Sequence, residues 1–196
     1  MKKQLKPTYA KGCIGVDPDY KFNVSPTLLK FAERISSVQS FPVLDVPCGY
    51  GRHSFFLASI GCNVICIDIN RDALNFVSAC QKKHGFQKEQ LLTQECDLIR
   101  DPWAFQKNTV GAIINVHYYQ ESLLENFIYS IVPGGYLYLE TPGNHGQNFI
   151  DLPKRGIVRQ ILEPYFEILY YKEKSAGPSD SNSVTVKVLA QKRSRI

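Results

Sequence analysis

The stretch Val43-Leu-Asp-Val-Pro-Cys-Gly-Tyr-Gly-Arg-His53 decides the fold of this 196-residue chain. It begins as an apolar run of strand length, continues through a turn that contains Gly49 and Gly51, and ends where a helical pattern starts. A buried strand that runs through a glycine-bearing turn into a helix is typical of an open parallel sheet. Ligands of such sheets bind beyond the carboxyl ends of the strands, so this turn is a candidate binding site.

Strand-length apolar runs alternate with helix-length periodic segments along the chain, and this rhythm predicts an α/β fold with a parallel sheet. The first five predicted strands are 43–46, 64–69, 91–96, 110–116 and 136–140, the last of them launched by a turn at 133–135. The predicted helices are 25–38 with Ser25 as its N-cap, 52–60, 70–84 with Asn70 as its N-cap, 121–131 and 154–162.

The last two apolar runs, 166–171 and 184–189, are joined by a connector without a helix, so they are expected to pair antiparallel as a hairpin. We therefore predict one domain over residues 1–196, built on a single Rossmann-like, doubly wound sheet of about seven strands. The sheet is expected to be mostly parallel, with a reversed strand in the C-terminal hairpin.

Composition excludes several other classes of protein. Hydrophobic residues make up 44% of the chain, and 23 Lys+Arg stand against 18 Asp+Glu, which is typical of a folded domain and not of a disordered or collagen-like chain. No apolar run approaches the roughly 18 residues of a membrane helix, and no signal peptide is recognisable. The six cysteines include no Cys-x-x-Cys pair, which favours reduced thiols. We expect a cytoplasmic protein with no membrane partner.

Carboxylates stand within the first predicted strand and at the ends of the second and third. Asp68 ends the second strand, 17 residues after Gly51, where it can accept hydrogen bonds from both hydroxyls of a ribose. Asp97 follows the third strand, toward the expected amino edge of an adenine. Asp45 lies inside the first strand, and its charge suits an ammonium group. Together these acids indicate a ligand that contains adenosine.

Two adenosine cofactors fit this layout. Gly49-x-Gly51-x-x-Ser54 with an acid further on is close to the dinucleotide-binding pattern, so NAD and an oxidoreductase are one alternative. Asp45 favours S-adenosylmethionine, because a carboxylate before the turn repels a pyrophosphate and attracts the ammonium of an amino acid moiety. A non-catalytic protein that binds the cofactor is a further alternative.

In this region the chain resembles the class I S-adenosylmethionine-dependent methyltransferases, over about residues 40–140. Residues 43–51 look like the first motif of that family, Asp68 like its ribose-binding acid, Cys96-Asp97 like its adenine-side acid, and 133–137 like its turn into strand five. Pro47 departs from the pattern, since many members have Gly or Ala there, and it lacks an N–H donor. The resemblance implies that the cofactor is held by Asp45, Pro47, Cys48, Gly49, Gly51, Asp68, Ile69, Asp97, Leu98 and Asn115.

A narrower resemblance concerns the segments 48–53 and 20–26, which are similar to small-molecule methyltransferases of the tellurite-resistance type. In these relatives the N-terminal segment helps to close the site, so residues 1–40 are expected to form a lid and a helix. The polar, glycine-rich segment 141–151, which follows Glu140, is expected to be an active-site loop.

Methyl transfer is an in-line displacement that needs alignment of the nucleophile and exclusion of water, and it requires no metal. The predicted catalytic residues are His117 and Tyr118, which follow strand four beside Tyr119. His117 can take a proton from a hydroxyl or amine acceptor, whereas a soft anion needs no base. The alternative for His117 is a hydrogen-bonded loop histidine that touches no substrate. The alternative for the two tyrosines is that their rings only pack against the protein.

We predict a small-molecule methyl acceptor, because no recognition domain is appended to the cofactor sheet. The net charge of +5 and the basic tail 192–195 allow an RNA methyltransferase as the alternative. However, Asn115-Val-His-Tyr118 does not resemble the Asn-Pro-Pro-Tyr motif of amino methylation. A monomer and a homodimer are both compatible with the sequence.

Overall fold

Residues 24–38, 40–141, 152–178 and 181–194 are described by the structure, which is a computed structural model. The strands are β1 (Val43–Asp45), β2 (Val64–Asp68), β3 (Leu91–Glu95), β4 (Val110–Val116), β5 (Ile131–Glu140), β6 (Phe166–Ser175) and β7 (Val184–Lys192). The α-helices are α1 (Pro26–Lys30), α2 (Ala32–Ser36), α3 (Arg52–Ser59), α4 (Arg71–Lys83), α5 (Glu121–Ser130) and α6 (Ile157–Leu162).

All seven strands belong to one sheet, in the order β3-β2-β1-β4-β5-β7-β6. The first five strands are parallel, and β7 runs antiparallel to both β5 and β6. The expected doubly wound sheet with a reversed hairpin strand is therefore confirmed. Because the strand order reverses between β1 and β4, the carboxyl ends of these two strands flank the crevice in which open sheets bind ligands.

Two hydrophobic clusters pack on the two faces of the sheet. Residues of α1 to α4 pack on one face, and residues of α5 and α6 pack on the other. Side chains alternate along β1, so Val43 joins the first cluster and Leu44 the second. The same alternation places Asp45 on the face of Val43, toward α3.

Helix α4 forms as its sequence predicts. The Asn70 side chain accepts hydrogen bonds from the backbone N–H groups of Asp72 and Ala73, which caps the first turn. The predicted apolar residues Ala73, Leu74, Val77 and Cys80 are all buried. The sequence thus contained both the start signal and the buried face of this helix.

The single helix predicted over 25–38 is wrong, because the chain forms two short helices that are separated at Phe31. The side chain of Ser25 makes no capping hydrogen bond to α1. Its hydroxyl instead donates to Glu140, at the end of β5. A long-range contact has therefore replaced the local cap that the sequence suggested.

The C-terminal half of the sheet also differs from the prediction. Strand β5 begins at Ile131, so the turn expected at 133–135 lies within the strand, where the pairing with β4 shifts register. A Cβ on Gly135 would lie 2.5 Å from the Gly111 carbonyl oxygen, which explains glycine at this close approach.

Three further element boundaries differ from the prediction. Strands β6 and β7 extend to Ser175 and Lys192, because in the antiparallel hairpin the end of each strand pairs with the start of the other. Helix α6 begins at Ile157 instead of residue 154. The predicted loop beyond residue 141 and the predicted lid before residue 24 lie outside the described residues.

Within the described part of the chain, no helix is long and apolar enough to span a membrane. The cysteines in the same ranges are buried free thiols at positions 48, 62, 66, 80 and 96.

Candidate active site

The Asp68 carboxylate, at the end of β2, accepts a hydrogen bond from the turn after β1. Gly49 and Gly51 have φ angles of 54° and 78°, in the left-handed region that favours glycine. The Gly49 N–H donates to Asp68 Oδ2 at 2.7 Å, and the Asn70 N–H donates to Asp68 Oδ1 at 2.9 Å. Each of these oxygens has a second lone pair that can accept a ribose hydroxyl.

Gly51 also fits tightly between helices. A Cβ at this position would lie 2.8 Å from a methyl carbon of Val77 and 3.2 Å from the ring of Phe55. A side chain would therefore meet both a steric clash and an unfavourable φ angle. The turn keeps its shape because only glycine meets both conditions.

Asp45 is a buried carboxylate, and one of its oxygens lacks a hydrogen-bond partner in the described part of the chain. The Ser54 hydroxyl donates to Asp45 Oδ2 at 2.5 Å, whereas Asp45 Oδ1 has no hydrogen-bond partner among the described residues. Burial raises the pKa of Asp45 to about 7, although the Ser54 hydrogen bond and the Arg52 charge oppose this shift. A buried, unpaired carboxylate oxygen is costly, and a bound cation would satisfy it.

The residues that are predicted to contact the adenine have different environments. Asp97 lies beyond the end of β3, and its Oδ1 accepts from the backbone N–H groups of Ile99 and Arg100 at 2.9 and 3.2 Å. Asp97 thus caps a turn, and its adenine contact stays a prediction. Leu98 is half-buried against the second hydrophobic cluster. Ile69 is 61% exposed after β2, so its side chain is free to pack on an adenine ring.

Three further residues of the predicted cofactor site lie near the carboxyl ends of the paired strands β1 and β4. They are Pro47, Cys48 and Asn115. Asn115 is buried and donates through Nδ2 to the Val46 carbonyl oxygen at 2.7 Å. The Cys48 thiol donates to the Gly49 carbonyl oxygen at 3.3 Å. A hydrogen bond with Cys66 and burial raise the pKa of Cys48, so this thiol is neutral and is no nucleophile. Pro47 is half-buried beside it.

His117 leaves β4 in the left-handed region, with a φ angle of 61°. Its backbone N–H donates to the Glu140 carbonyl oxygen at 2.7 Å, and its Nδ1 lies 3.3 Å from Arg52 Nη2. Arginine has no acceptor, so Nδ1 must accept in this contact, and the ring proton lies on Nε2. Burial and the Arg52 charge lower the pKa of His117, and the imidazole is neutral at pH 7.

The two tyrosines after His117 are half-buried and pack against the second hydrophobic cluster. Burial raises the pKa of both Tyr118 and Tyr119, so their hydroxyls are neutral. The Tyr119 hydroxyl donates to Glu121 at 3.3 Å. Packing therefore accounts for both rings in the described part of the chain, and a catalytic role for Tyr118 stays a prediction.

A buried polar network at the end of β5 was not predicted. Glu140 Oε2 accepts hydrogen bonds of 2.6 Å from the hydroxyls of Ser25 and Tyr138, and Glu140 Oε1 pairs with Lys187 Nζ at 2.5 Å. Burial alone would raise the pKa of Glu140, but Lys187 and the two hydroxyls lower it below its usual value. The charged Glu140 therefore holds α1 against the sheet.

A cavity of about 600 Å³ opens beside this network. It is lined by His117 and Thr141 after β4 and β5, by Thr27 of α1, and by residues of β6 and β7 that include Lys172 and Lys187. Only the alternation of polar residues in the C-terminal strands could have indicated this cavity from the sequence. It adjoins the turn after β1, because His117 in its wall contacts Arg52 at the start of α3.

A larger cavity, of about 1140 Å³, lies near the start of β4 and contains none of the predicted site residues. Lys192 on its wall donates to the carbonyl oxygens of Ile128 and Ile131, both at 2.6 Å, and so caps the end of α5. We assign this lysine a structural role, because the cavity lies away from the carboxyl ends of the parallel strands.

Residues 18–141 match the family of the tellurite resistance protein TehB. The chain belongs to this family. TehB from Haemophilus influenzae has a similar structure, with a TM-score of 0.63 and 19% identity over 88% of this chain and 65% of that chain. The present chain therefore spans less than two thirds of the length of that TehB.

Other solved structures share the TehB-family fold. Geranyl diphosphate methyltransferase in complex with S-adenosylmethionine has a TM-score of 0.65 and 13% identity over 85% of this chain and 84% of that chain. An rRNA methylase from Streptococcus thermophilus has a TM-score of 0.62 and 16% identity over 87% of this chain and 98% of that chain. No curated protein matches the chain by sequence. At these identities the likeness shows the class I methyltransferase fold.

S-Adenosylmethionine, the cofactor that the sequence predicts, is bound in the geranyl diphosphate methyltransferase structure, and the residues of this chain fit it. Asp45 Oδ1, which lacks a partner among the described residues, can accept a hydrogen bond from the ammonium group. The remaining lone pairs of Asp68 can accept hydrogen bonds from the ribose hydroxyls. The exposed Ile69 suits the face of the adenine. The Asp45 carboxylate before the turn would repel a pyrophosphate, which argues against NAD.

We expect Asp68→Ala to weaken S-adenosylmethionine binding by an order of magnitude or more, because each lost ribose hydrogen bond to a carboxylate contributes about 1.5–3 kcal/mol. Isothermal titration calorimetry measures the change. Asp72→Ala, at an exposed acid one turn further on, is the matched control. An unchanged dissociation constant for Asp68→Ala, or tighter binding of NAD than of S-adenosylmethionine, would contradict this assignment.

Proposed function

We propose that this TehB-family chain transfers a methyl group from S-adenosylmethionine to a small-molecule acceptor. The observation that carries the proposal is the cavity of about 600 Å³ between α1 and the ends of β4 to β7. Small-molecule sites have volumes of about 300–1,000 Å³, so an acceptor of that class fits it. His117 belongs to the cavity wall and also contacts Arg52 at the start of α3, so the cavity adjoins the cofactor turn.

The donor supplies an activated methyl on a sulfonium sulfur, which becomes a neutral thioether after the methyl has moved to the nucleophile. The chain contributes alignment and exclusion of water. Asp45 holds the ammonium end of the donor and Asp68 its ribose, which fixes the direction in which the methyl points. Helix α1, held by Glu140, covers the acceptor side of the site.

Two roles are open to His117, and its hydrogen bonds distinguish them. With Nδ1 occupied by Arg52, Nε2–H donates to the acceptor and orients it. General-base catalysis through Nδ1 requires that Arg52 first releases this nitrogen. The low pKa of His117 keeps the ring neutral for either role. Orientation is therefore the role that we favour.

We expect Ser25→Ala to lower turnover about 10-fold while S-adenosylmethionine affinity changes less than about 3-fold. The Ser25 hydroxyl donates to a buried carboxylate, and its loss loosens α1 over the cavity without a change in the cofactor turn. Steady-state kinetics and calorimetry give the two numbers. Ser37→Ala, at an exposed hydroxyl beyond α2, is the control. Equal losses of turnover and cofactor affinity would show that α1 does not act as a cover.

An RNA acceptor is the alternative, and its support is the net charge of +5 and the fold shared with an rRNA methylase. Incubation with methyl-labelled S-adenosylmethionine, separately with thiols, phenols, amines, carboxylic acids and total RNA, distinguishes the two. Label in the small-molecule fraction supports the proposal. Label that enters only RNA, with binding that weakens steeply in salt, overturns it.

A further inference from the structure

We propose that the methyl acceptor is an organic anion, and that Lys172 and Lys174 bind its carboxylate or phosphate group inside the cavity. This inference rests on the proposed small-molecule function, since it names the chemistry of the acceptor. Both lysines line the cavity, and so does Lys187. Three lysines in one small-molecule cavity suit a negatively charged ligand.

The strand register places two of these lysines directly opposite each other. Lys172 on β6 pairs with Lys187 on β7, and Lys174 pairs with Thr185 on the same face. Like charges at opposite positions of an antiparallel pair destabilise the sheet. Glu140 neutralises Lys187, and β6 is the edge strand of the sheet, where the exposed Lys172 and Lys174 also deter pairing with another chain. An anion bound between the lysines would relieve the repulsion that remains.

The carboxylate of Glu140 cannot neutralise all three lysines. One of its oxygens pairs with Lys187, and the other accepts from Ser25 and Tyr138. Glu173 lies next to Lys172 in sequence, but it pairs with Arg155. In the described ranges Lys172 and Lys174 have no ion-pair partner, so two positive charges remain for a ligand.

The dimensions of the cavity favour an organic anion over a small inorganic one. Val116, Glu140, Lys187 and Lys172 are successive register partners across β4, β5, β7 and β6. Adjacent strands are about 4.8 Å apart, so the backbone of Lys172 lies about 14 Å from that of Val116, which precedes His117. A molecule that reaches both the lysines and His117 therefore needs a body as well as a charged group.

The experiment uses acceptors in matched charged and neutral forms, such as 4-mercaptobenzoate with 4-mercaptobenzamide, and 4-mercaptophenyl phosphate with thiophenol. Binding to the S-adenosylhomocysteine-saturated protein and methylation with S-adenosylmethionine are both measured. We expect the anionic member of a pair to bind about 10-fold or more tightly, which is the effect of one charge-assisted hydrogen bond. The phosphate and carboxylate pairs distinguish the two anionic groups.

The double variant Lys172→Met and Lys174→Met removes both charges and keeps the side-chain length. We expect it to reduce the preference for the anion to within about 3-fold, with unchanged S-adenosylmethionine affinity. Lys82→Met with Lys83→Met, at exposed lysines of α4, is the control and should keep the preference.

The outcomes separate this inference from the proposed function. If neutral and charged members bind and react equally well, or if the double variant keeps the preference, the acceptor is not held by these lysines and the inference fails. Failure of every anionic probe to bind also overturns it. If no small molecule accepts the methyl and RNA does, the proposed function itself fails.

Discussion

Asp45→Asn is expected to weaken S-adenosylmethionine binding by two orders of magnitude or more. The charged Asp45 is the partner that we assign to the donor's ammonium, and it is buried, with an open Oδ1 in the described structure. Loss of one partner from a buried ion pair costs about 3–5 kcal/mol, which corresponds to a factor of more than 100 in affinity. Calorimetry with Asp72→Asn as the exposed control measures the effect.

The same substitution is expected to stabilise the protein in the absence of ligand. Burial raises the pKa of folded Asp45 to about 7 from 3.8, so the stability present below about pH 4 is lost as the pH rises through 7. This loss corresponds to about 4 kcal/mol at pH 8. Asparagine avoids the buried charge but leaves its amide N–H groups unpaired, so we expect a net gain of about 1–3 kcal/mol at pH 8 and less at pH 5.

Thermal and urea unfolding at the two pH values measure this gain. Because a bound ammonium favours the charged carboxylate, wild-type affinity for S-adenosylmethionine should also rise between about pH 5.5 and 7, with proton release on binding. Asp45→Asn should abolish this dependence. An unchanged affinity would rule out Asp45 as the ammonium site, and an equal stability effect at both pH values would show that burial does not raise the pKa of Asp45.

His117→Ala is expected to lower turnover by about 10²–10⁴-fold if the acceptor is a hydroxyl or amine that must lose a proton, with cofactor affinity intact. The effect should be much smaller for a thiolate or another soft anion, which needs no base. Single-turnover rates with a phenol and a thiol acceptor, each over pH 5–9, measure both cases. A rate limited by a histidine base should fall at acidic pH, below the lowered pKa of His117.

His117→Gln separates the two roles of this histidine. Glutamine retains an N–H donor, so it should restore most of the rate if Nε2–H orients the acceptor, and little if the ring is a base. His84→Gln, at an exposed histidine after α4, is the matched control. Unchanged turnover for His117→Ala with every acceptor class would remove His117 from the mechanism.

The cofactor half of the site could be predicted from the sequence because its residues belong to neighbouring strand–turn–helix units. Gly49 and Gly51 follow β1 within one short turn, and Asp68 ends the next strand of the sheet. Strand alternation and helix periodicity report burial locally, so the sheet and the position of Asp45 follow from them. The structure added that Asp45 Oδ1 lacks a partner within the described residues.

The contacts around the proposed acceptor cavity depended on tertiary structure. Ser25 and Glu140 are 115 positions apart in the chain, and Arg52 and His117 are 65 apart. Local propensity made Ser25 a helix cap, but a stronger hydrogen bond to a buried carboxylate recruited its hydroxyl. Lys172 lies opposite Lys187 only because β6 extends beyond its apolar run. In that extension there is no hydrophobic pattern to predict the arrangement, and backbone pairing in the sheet sets which side chains share a face.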